Sequence, residues 1–281
     1  MKENSKNAEI AFFGGSFTAI DREYMLSLLN ATVPYIERFK GIRISTRPDC
    51  IDDEILAVLK CYGVTSIELG AQSMSDTVLL ANDRGHTADD VYTASKLIKS
   101  YGFSLGLQMM TGLYKSDVES DIDTARQFIS IKPDTVRIYP TVILKGTKLE
   151  HLYRIGGYIP YDLETSIDLC AKLLCMFSDA DINVIRLGLH HSDSLDSNRV
   201  AGAYHPAFKE LCESKIMLDK LLSLLDGCDK NKEYTVLVNK NSVSKLVGNK
   251  KFNLVRLNGL GYNIKIQQSD DIKTMDVALI N

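Results

Sequence analysis

The sequence has no tryptophan, six prolines and five histidines among 281 residues, and no apolar run near the ~20 residues a helix needs to cross a bilayer. It therefore offers no candidate membrane span. A net charge of −3 gives no strong basic excess with which to grip nucleic acid or anionic lipid through the overall field. The polar start, Met1-Lys-Glu-Asn-Ser-Lys-Asn7, has no signal-peptide core and predicts a cytoplasmic protein. The six cysteines (Cys50, Cys61, Cys170, Cys175, Cys212 and Cys228) contain no Cys-x2-Cys pair, so they read as reduced core thiols. His190, His191 and His205 fit no recognised zinc spacing, and no metal ligand is assigned.

What is present is a regular alternation. The apolar run Ile10 to Phe13 stops at Gly14-Gly15 and reads as a buried strand leading into a helix. Apolar spacing over Arg22–Phe39 predicts an amphipathic helix capped by Asp21 and kinked or divided at Pro34. Strands follow at Gly41–Asp49, Val64–Leu69, Ser104–Met110, Thr135–Tyr139 and Asn183–Leu189. Between them lie helices at Asp52–Tyr62, Asp76–Leu80, Ala88–Tyr101, Asp117–Ile131, Lys145–Arg154 and Asp162–Ala180. Six such units, with strands apolar on both faces, predict an α/β fold with a parallel sheet, better suited to a partial (β/α) TIM-like barrel than to a doubly wound sheet. Residues 190–203 read as loop and Pro206–Leu225 as helix. A linker at Gly227–Lys232 then leads to a small α/β appendage, with strands at Tyr234–Val238, Tyr262–Gln267 and Val277–Ile280 and helices at Ser242–Leu246 and Lys250–Leu257. The predicted division is 1–226 and 227–281.

In a barrel the site lies at the carboxyl ends of the strands. There the sequence places Gly14, Gly15 and Ser16; Ser45, Thr46, Arg47 and Asp49; Glu68, Gln72 and Ser73; Gln108; Arg137 and Tyr139; and Arg186. These converge on a polar cavity without a credible nucleophile–base pair. Arg47, Arg137 and Arg186 could bind carboxylate or phosphate, or be neutralised by Glu68 or Asp49. Glu68 could accept from an amine or a ribose hydroxyl. His86 reads as a surface or capping residue. The basic stretch with Lys245, Lys250, Lys251 and Arg256 is either a solvated face or a contact for RNA backbone.

Successive segments also resemble motifs of radical SAM proteins: Ala11-Phe-Phe-Gly-Gly-Ser-Phe-Thr-Ala-Ile20, Ile44-Ser-Thr-Arg-Pro-Asp49, Ile67-Glu-Leu-Gly-Ala-Gln-Ser73 and Arg84-Gly-His86. So do Gly106-Leu-Gln-Met-Met-Thr-Gly-Leu113, Arg137-Ile-Tyr-Pro140, Lys145-Gly-Thr-Lys-Leu149, Ile185-Arg-Leu-Gly188 and Tyr204-His-Pro-Ala-Phe208. The resemblance is to the group related to the elongator catalytic subunit, with its coproporphyrinogen-oxidase-like members. It implies S-adenosylmethionine and a [4Fe–4S] cluster as cofactors, the cluster reducing the sulfonium to give a 5′-deoxyadenosyl radical. It implies that Gly14, Gly15 and Ser16 meet the methionine amino group. Ser45 and Arg47 would face its carboxylate, Glu68 and Gln72 would line the cavity, and Gln108 would lie near the adenosine. RNA is the implied macromolecular partner; DNA and membrane are not expected.

One family feature has no counterpart. Members carry Cys-x3-Cys-x2-Cys ahead of the glycine motif, three thiolates that hold the cluster. No cysteines here have that spacing. The sequence thus reads as a radical SAM core lacking its first β/α unit and unable to cleave the cofactor alone, either a truncated core or a cluster-less binding or scaffold protein.

Overall fold

The computed structural model of the chain describes residues 5–230 and 232–280; Met1 to Asn4 of the polar start, Asn231 of the predicted linker, and Asn281 lie outside them. The elements in order are β1 (Ile10–Phe12), α1 (Arg22–Thr32), β2 (Ile42–Thr46), α2 (Asp53–Cys61), β3 (Val64–Gln72), α3 (Asp76–Ala81), α4 (Ala88–Ser100), β4 (Ser104–Thr111), α5 (Val118–Ile131) and β5 (Thr135–Pro140). Then come β6 (Val142–Leu144), α6 (Lys148–Arg154), α7 (Leu163–Asp179), β7 (Asn183–Leu187), α8 (Asp193–Asn198), β8 (Arg199–Gly202) and α9 (Phe208–Leu225). The chain closes with β9 (Glu233–Val238), α10 (Val243–Val247), α11 (Phe252–Gly259), β10 (Asn263–Gln268) and β11 (Val277–Ile280).

Six strands form one parallel sheet in the order β1-β2-β3-β4-β5-β7. The order follows the chain without reversal, so the crossover helices fall on one face and the sheet curls into a half-barrel instead of being doubly wound. The curl brings the Arg137 guanidinium of β5 over the Phe13 ring just beyond β1, 5.2 Å from its centroid. The helices start where the sequence supplies caps. Thr87 and Asp90 form a reciprocal capping box on α4, as do Asp117 and Ser120 on α5. Their apolar stripes pack on the sheet around Ile67, Leu69, Leu105, Leu107, Val136 and Ile138.

The helix over Arg22–Phe39 is divided at Pro34 as expected: it ends at Thr32, and a 3-10 segment, Val33–Arg38, begins at the residue before Pro34. Several other expectations are corrected. The opening strand is half-buried instead of buried, because β1 is the sheet's edge, and Phe13 stands 55% exposed. After Gly14-Gly15 the chain makes one short 3-10 turn, Phe17–Ala19, before α1. Residues 190–203 are not a plain loop: they hold α8 and β8, and β8 pairs antiparallel with β6, a strand absent from the sequence reading.

The appendage is a three-stranded sheet, β10-β9-β11, with β10 parallel and β11 antiparallel to β9. Its core contains Tyr234, Val236, Val238, Leu246 and Leu257. The boundary predicted at 226/227 falls at the end of α9, but α9 serves both sides. Its first half, Phe208, Cys212 and Ile216, packs in the barrel core; its second half, Met217, Leu218, Leu221 and Leu225, packs in the appendage core.

Candidate functional site

The predicted strand ends do converge, but they sort into two layers. The lower layer is a closed network inside the curl. Glu68, 1% exposed, accepts from Arg137 through Nε at 2.7 Å and Nη2 at 2.8 Å, a bidentate pair. It also accepts from Arg43 Nη1 at 3.2 Å and Gln108 Nε2 at 2.8 Å. Arg43 in turn donates to Glu9 at 2.8 Å, and Glu9 accepts from the Ser66 hydroxyl at 3.1 Å. Gln108 Nε2 also reaches Ser45 Oγ at 3.3 Å. Two carboxylates thus meet two guanidinium groups. Of the two roles open to Glu68, the geometry gives it the ion pair: both oxygens are engaged, and it does not line the cleft above. Gly106 makes this possible, because a Cβ there would lie 2.8 Å from Glu68 Cγ.

The upper layer is a cleft of about 300 Å³ lined by Phe13, Gly14, Gly15, Ser16, Ser45, Thr46, Arg47, Gly70, Gln72, Arg84, Gln108 and Tyr139. It contains every residue that the resemblance assigns to the cofactor except Glu68; of the other strand-end candidates Thr46 and Tyr139 line it, and Asp49, Ser73, Arg137 and Arg186 do not. The size is at the small end for a small-molecule site. Gly14 has φ +110°, a conformation that strains other residues, and nothing lies within 4 Å of a Cβ built at Gly14 or Gly15, so the turn is open to an approaching ligand. Gln72 also has positive φ, +67°, at an irregularity between β3 and β4, as backbone held at binding sites often does. Two larger hollows, about 580 and 430 Å³, lie on the outside of the fold beside α7 and α9. Neither touches a glycine turn or the carboxyl end of a strand, so the smaller cleft is the better candidate.

The cleft's charge is not where the sequence put it. Arg47 is committed to Asp49, donating from Nε at 2.9 Å and also from Nη2. That pair raises the arginine pKa and lowers the Asp49 pKa. Among the described residues that line the cleft, the cation without a carboxylate partner is Arg84, which in the sequence stands out only as part of a motif. Its Nε is buried without a hydrogen-bond partner, and burial, then the nearby Arg47, lowers its pKa. A half-buried guanidinium with an orphaned donor in a polar cleft fits an anionic ligand group. His86 is also corrected: it is 6% exposed, and Nε2 sits 3.1 Å from the Ala71 carbonyl, tying the segment before α4 to the end of β3. Both lie in the Arg84-Gly-His86 connection between α3 and the capped start of α4, where no spacing marks either side chain.

Matches to protein families cover most of the chain. The model of the Radical SAM superfamily matches residues 1–128, and that of the Radical_SAM C-terminal domain matches residues 133–217. The chain belongs to the radical SAM superfamily. Among curated members it is 32% identical over 186 residues to the tRNA uridine(34) acetyltransferase of Methanocaldococcus jannaschii, covering 57% of this chain and 34% of that protein. It is 32% identical over 190 residues to human Elongator complex protein 3, covering 60% and 35%. It thus spans about a third of the length of these relatives. Among solved structures it is similar to the archaeal Methanocaldococcus infernus Elp3 with an N-terminal deletion, with TM-score 0.65 and 25% identity, covering 78% of this chain and 55% of that one.

Radical SAM membership implies S-adenosylmethionine and a [4Fe–4S] cluster, and the two fare differently. The cleft is lined by both the open glycine turn and Arg84, groups of the kind that fit a zwitterionic ligand end. Among the described residues no group of three or more His, Cys, Asp or Glu is placed to hold a metal ion. Cys50 follows β2, Cys61 lies in α2, Cys170 and Cys175 in α7, Cys212 in α9 and Cys228 just after it; Cys170 and Cys212 are neighbours in the core, but among the described residues no third thiol joins them. These residues do not fit a cluster, and no step is derived through one. His191 lies 3.2 Å from Asp196, and His205 Nδ1 accepts from the Ala207 N–H at 3.0 Å.

Proposed function

We propose that this chain is the S-adenosylmethionine-binding part of a radical SAM system that modifies RNA. The observation that carries the reading is the cleft at Gly14–Ser16, lined by both an open glycine turn and an unpaired guanidinium, Arg84. Arg84, supported by Arg47, would take the methionine carboxylate, Gly14, Gly15 and Ser16 the amino end, and Gln72 and Gln108 the nucleoside end. When its cluster is bound, the family's chemistry is reductive cleavage of the sulfonium to a carbon radical. The described residues offer no thiolate set for that cluster, so in this reading they bind the cofactor without cleaving it unaided. RNA as substrate is supported by the archaeal relative, a tRNA uridine(34) acetyltransferase. The same reading places the protein in the cytoplasm; among the described residues no helix is long and apolar enough to cross a membrane.

Two measurements test it. Calorimetry of the chain with S-adenosylmethionine should show binding, with Arg84→Gln weakening it about tenfold or more, the scale of one lost charge-assisted contact. Absence of heat at millimolar ligand would sink the reading. Anaerobic reconstitution with iron and sulfide should leave the chain without stoichiometric cluster absorbance; a stable cluster would show that the cysteines have been misread.

A further inference from the structure

Beyond the cofactor cleft, the mouth of the half-barrel carries an arginine that no carboxylate among the described residues pairs. Three arginines lie within the strands of the six-stranded sheet. Arg43 and Arg137 share Glu9 and Glu68. Arg186 on β7 has no carboxylate partner among the described residues; its Nε donates to its own loop, at the Gly188 carbonyl, 2.9 Å away. Arg186 also sits directly opposite Arg137 in the β5–β7 register. Like charges facing each other across two strands are destabilising unless something lies between them, and Glu68 reaches Arg137 and Arg43 but not Arg186. Four residues on, His190 is exposed beside both arginines. Of the two acids that follow, Asp196 is engaged by His191 at 3.2 Å, and Asp193 forms no ion pair with His190 or Arg186 among the described residues.

We infer that Arg186 and His190 form an oxyanion subsite that holds a phosphate group of the substrate on the β7 side of the mouth. The inference rests on the proposed function only in taking the mouth as the substrate face. A guanidinium fork from a strand end and an imidazole from the following loop present donors from two directions. A phosphate, with three peripheral oxygens, can meet both at once, whereas a planar carboxylate is satisfied by the fork alone. Partial burial, then the field of Arg186 and Arg137, lowers the His190 pKa, so an anion seated between Arg186 and His190 opposes both arginines' effect on the imidazole.

The test follows the His190 ring by NMR across pH in the full chain at constant ionic strength. Inorganic phosphate should raise its titration midpoint by about half a unit or more, while acetate at equal ionic strength leaves it nearly unmoved. Arg186→Gln should raise the midpoint without any ligand and abolish most of the phosphate shift; Arg186→Lys, which keeps the charge, should retain part of it. No phosphate shift in the unaltered chain, an equal shift with acetate, or an undiminished shift in Arg186→Gln would overturn the proposal. S-adenosylmethionine calorimetry reads the opposite side of the mouth, so either result can fail while the other stands.

Discussion

Replacing Glu68 by glutamine separates the two roles the sequence allowed it. The side chain keeps its shape but loses its charge. Arg137, whose side chain is 16% exposed, would lose a bidentate partner, and Arg43, at 15%, one of its two carboxylates. Glutamine also presents an N–H₂ to a site where every neighbour donates. Breaking a buried pair by removing one partner costs about 3–5 kcal/mol, most of it the desolvation of the cation left behind. For a chain of this size that corresponds to a fall in melting temperature of roughly 10 °C, or a lower urea midpoint at unchanged slope. A double-mutant cycle with Arg137→Met should recover much of the loss, because the orphaned cation is then absent. S-adenosylmethionine affinity, read at a temperature where both proteins are folded, should change little. If Glu68→Gln melts within about 1 kcal/mol of the parent yet loses ligand binding, the ion-pair account is wrong and Glu68 belongs to the ligand.

Two other perturbations follow from buried geometry. Asp121, 2% exposed, accepts from the Gly112 N–H at 2.8 Å and from the Ser116 hydroxyl, yet burial dominates and pushes its carboxyl up to about 6 from the ordinary 3.8. A carboxyl with a raised folded-state pKa favours folding when protonated. Stability should therefore fall as pH rises from about 4 to about 6, by up to ~3 kcal/mol, and the difference in urea midpoints between the parent and Asp121→Asn should trace that fall. Gly106→Ala should cost about 1–3 kcal/mol, because the new methyl meets Glu68 Cγ at 2.8 Å and Thr135 Oγ1 at 3.0 Å; a thermal melt equal to the parent's would refute the claim that Gly106 makes room for the ion pair.

The parallel α/β layering was legible because β2 to β5 and β7 carry apolar runs, while the helices between them carry caps and three- and four-residue spacing. Strand ends could be listed, so nearly all the residues of the cleft could be named. What could not be read was pairing. Glu68 and Gln108 are 40 residues apart, and nothing local says that they bond to each other at 2.8 Å. The same holds for the match between β6 and β8, two short strands without an alternating pattern, joined only by long-range hydrogen bonds. Arg84 was passed over because a lone arginine after a short helix has no spacing signal; its significance lies in the missing partner, which only coordinates reveal.

The division of α9 between two cores has a consequence for how the chain comes apart. A helix of 18 residues whose halves are anchored in different hydrophobic clusters acts as a shared beam. Loosening either cluster withdraws half the packing that keeps the helix formed, and so weakens the other. Barrel and appendage should then exchange their most protected amides together, and a nick at the segment after Leu225 should release neither piece as an independently stable body.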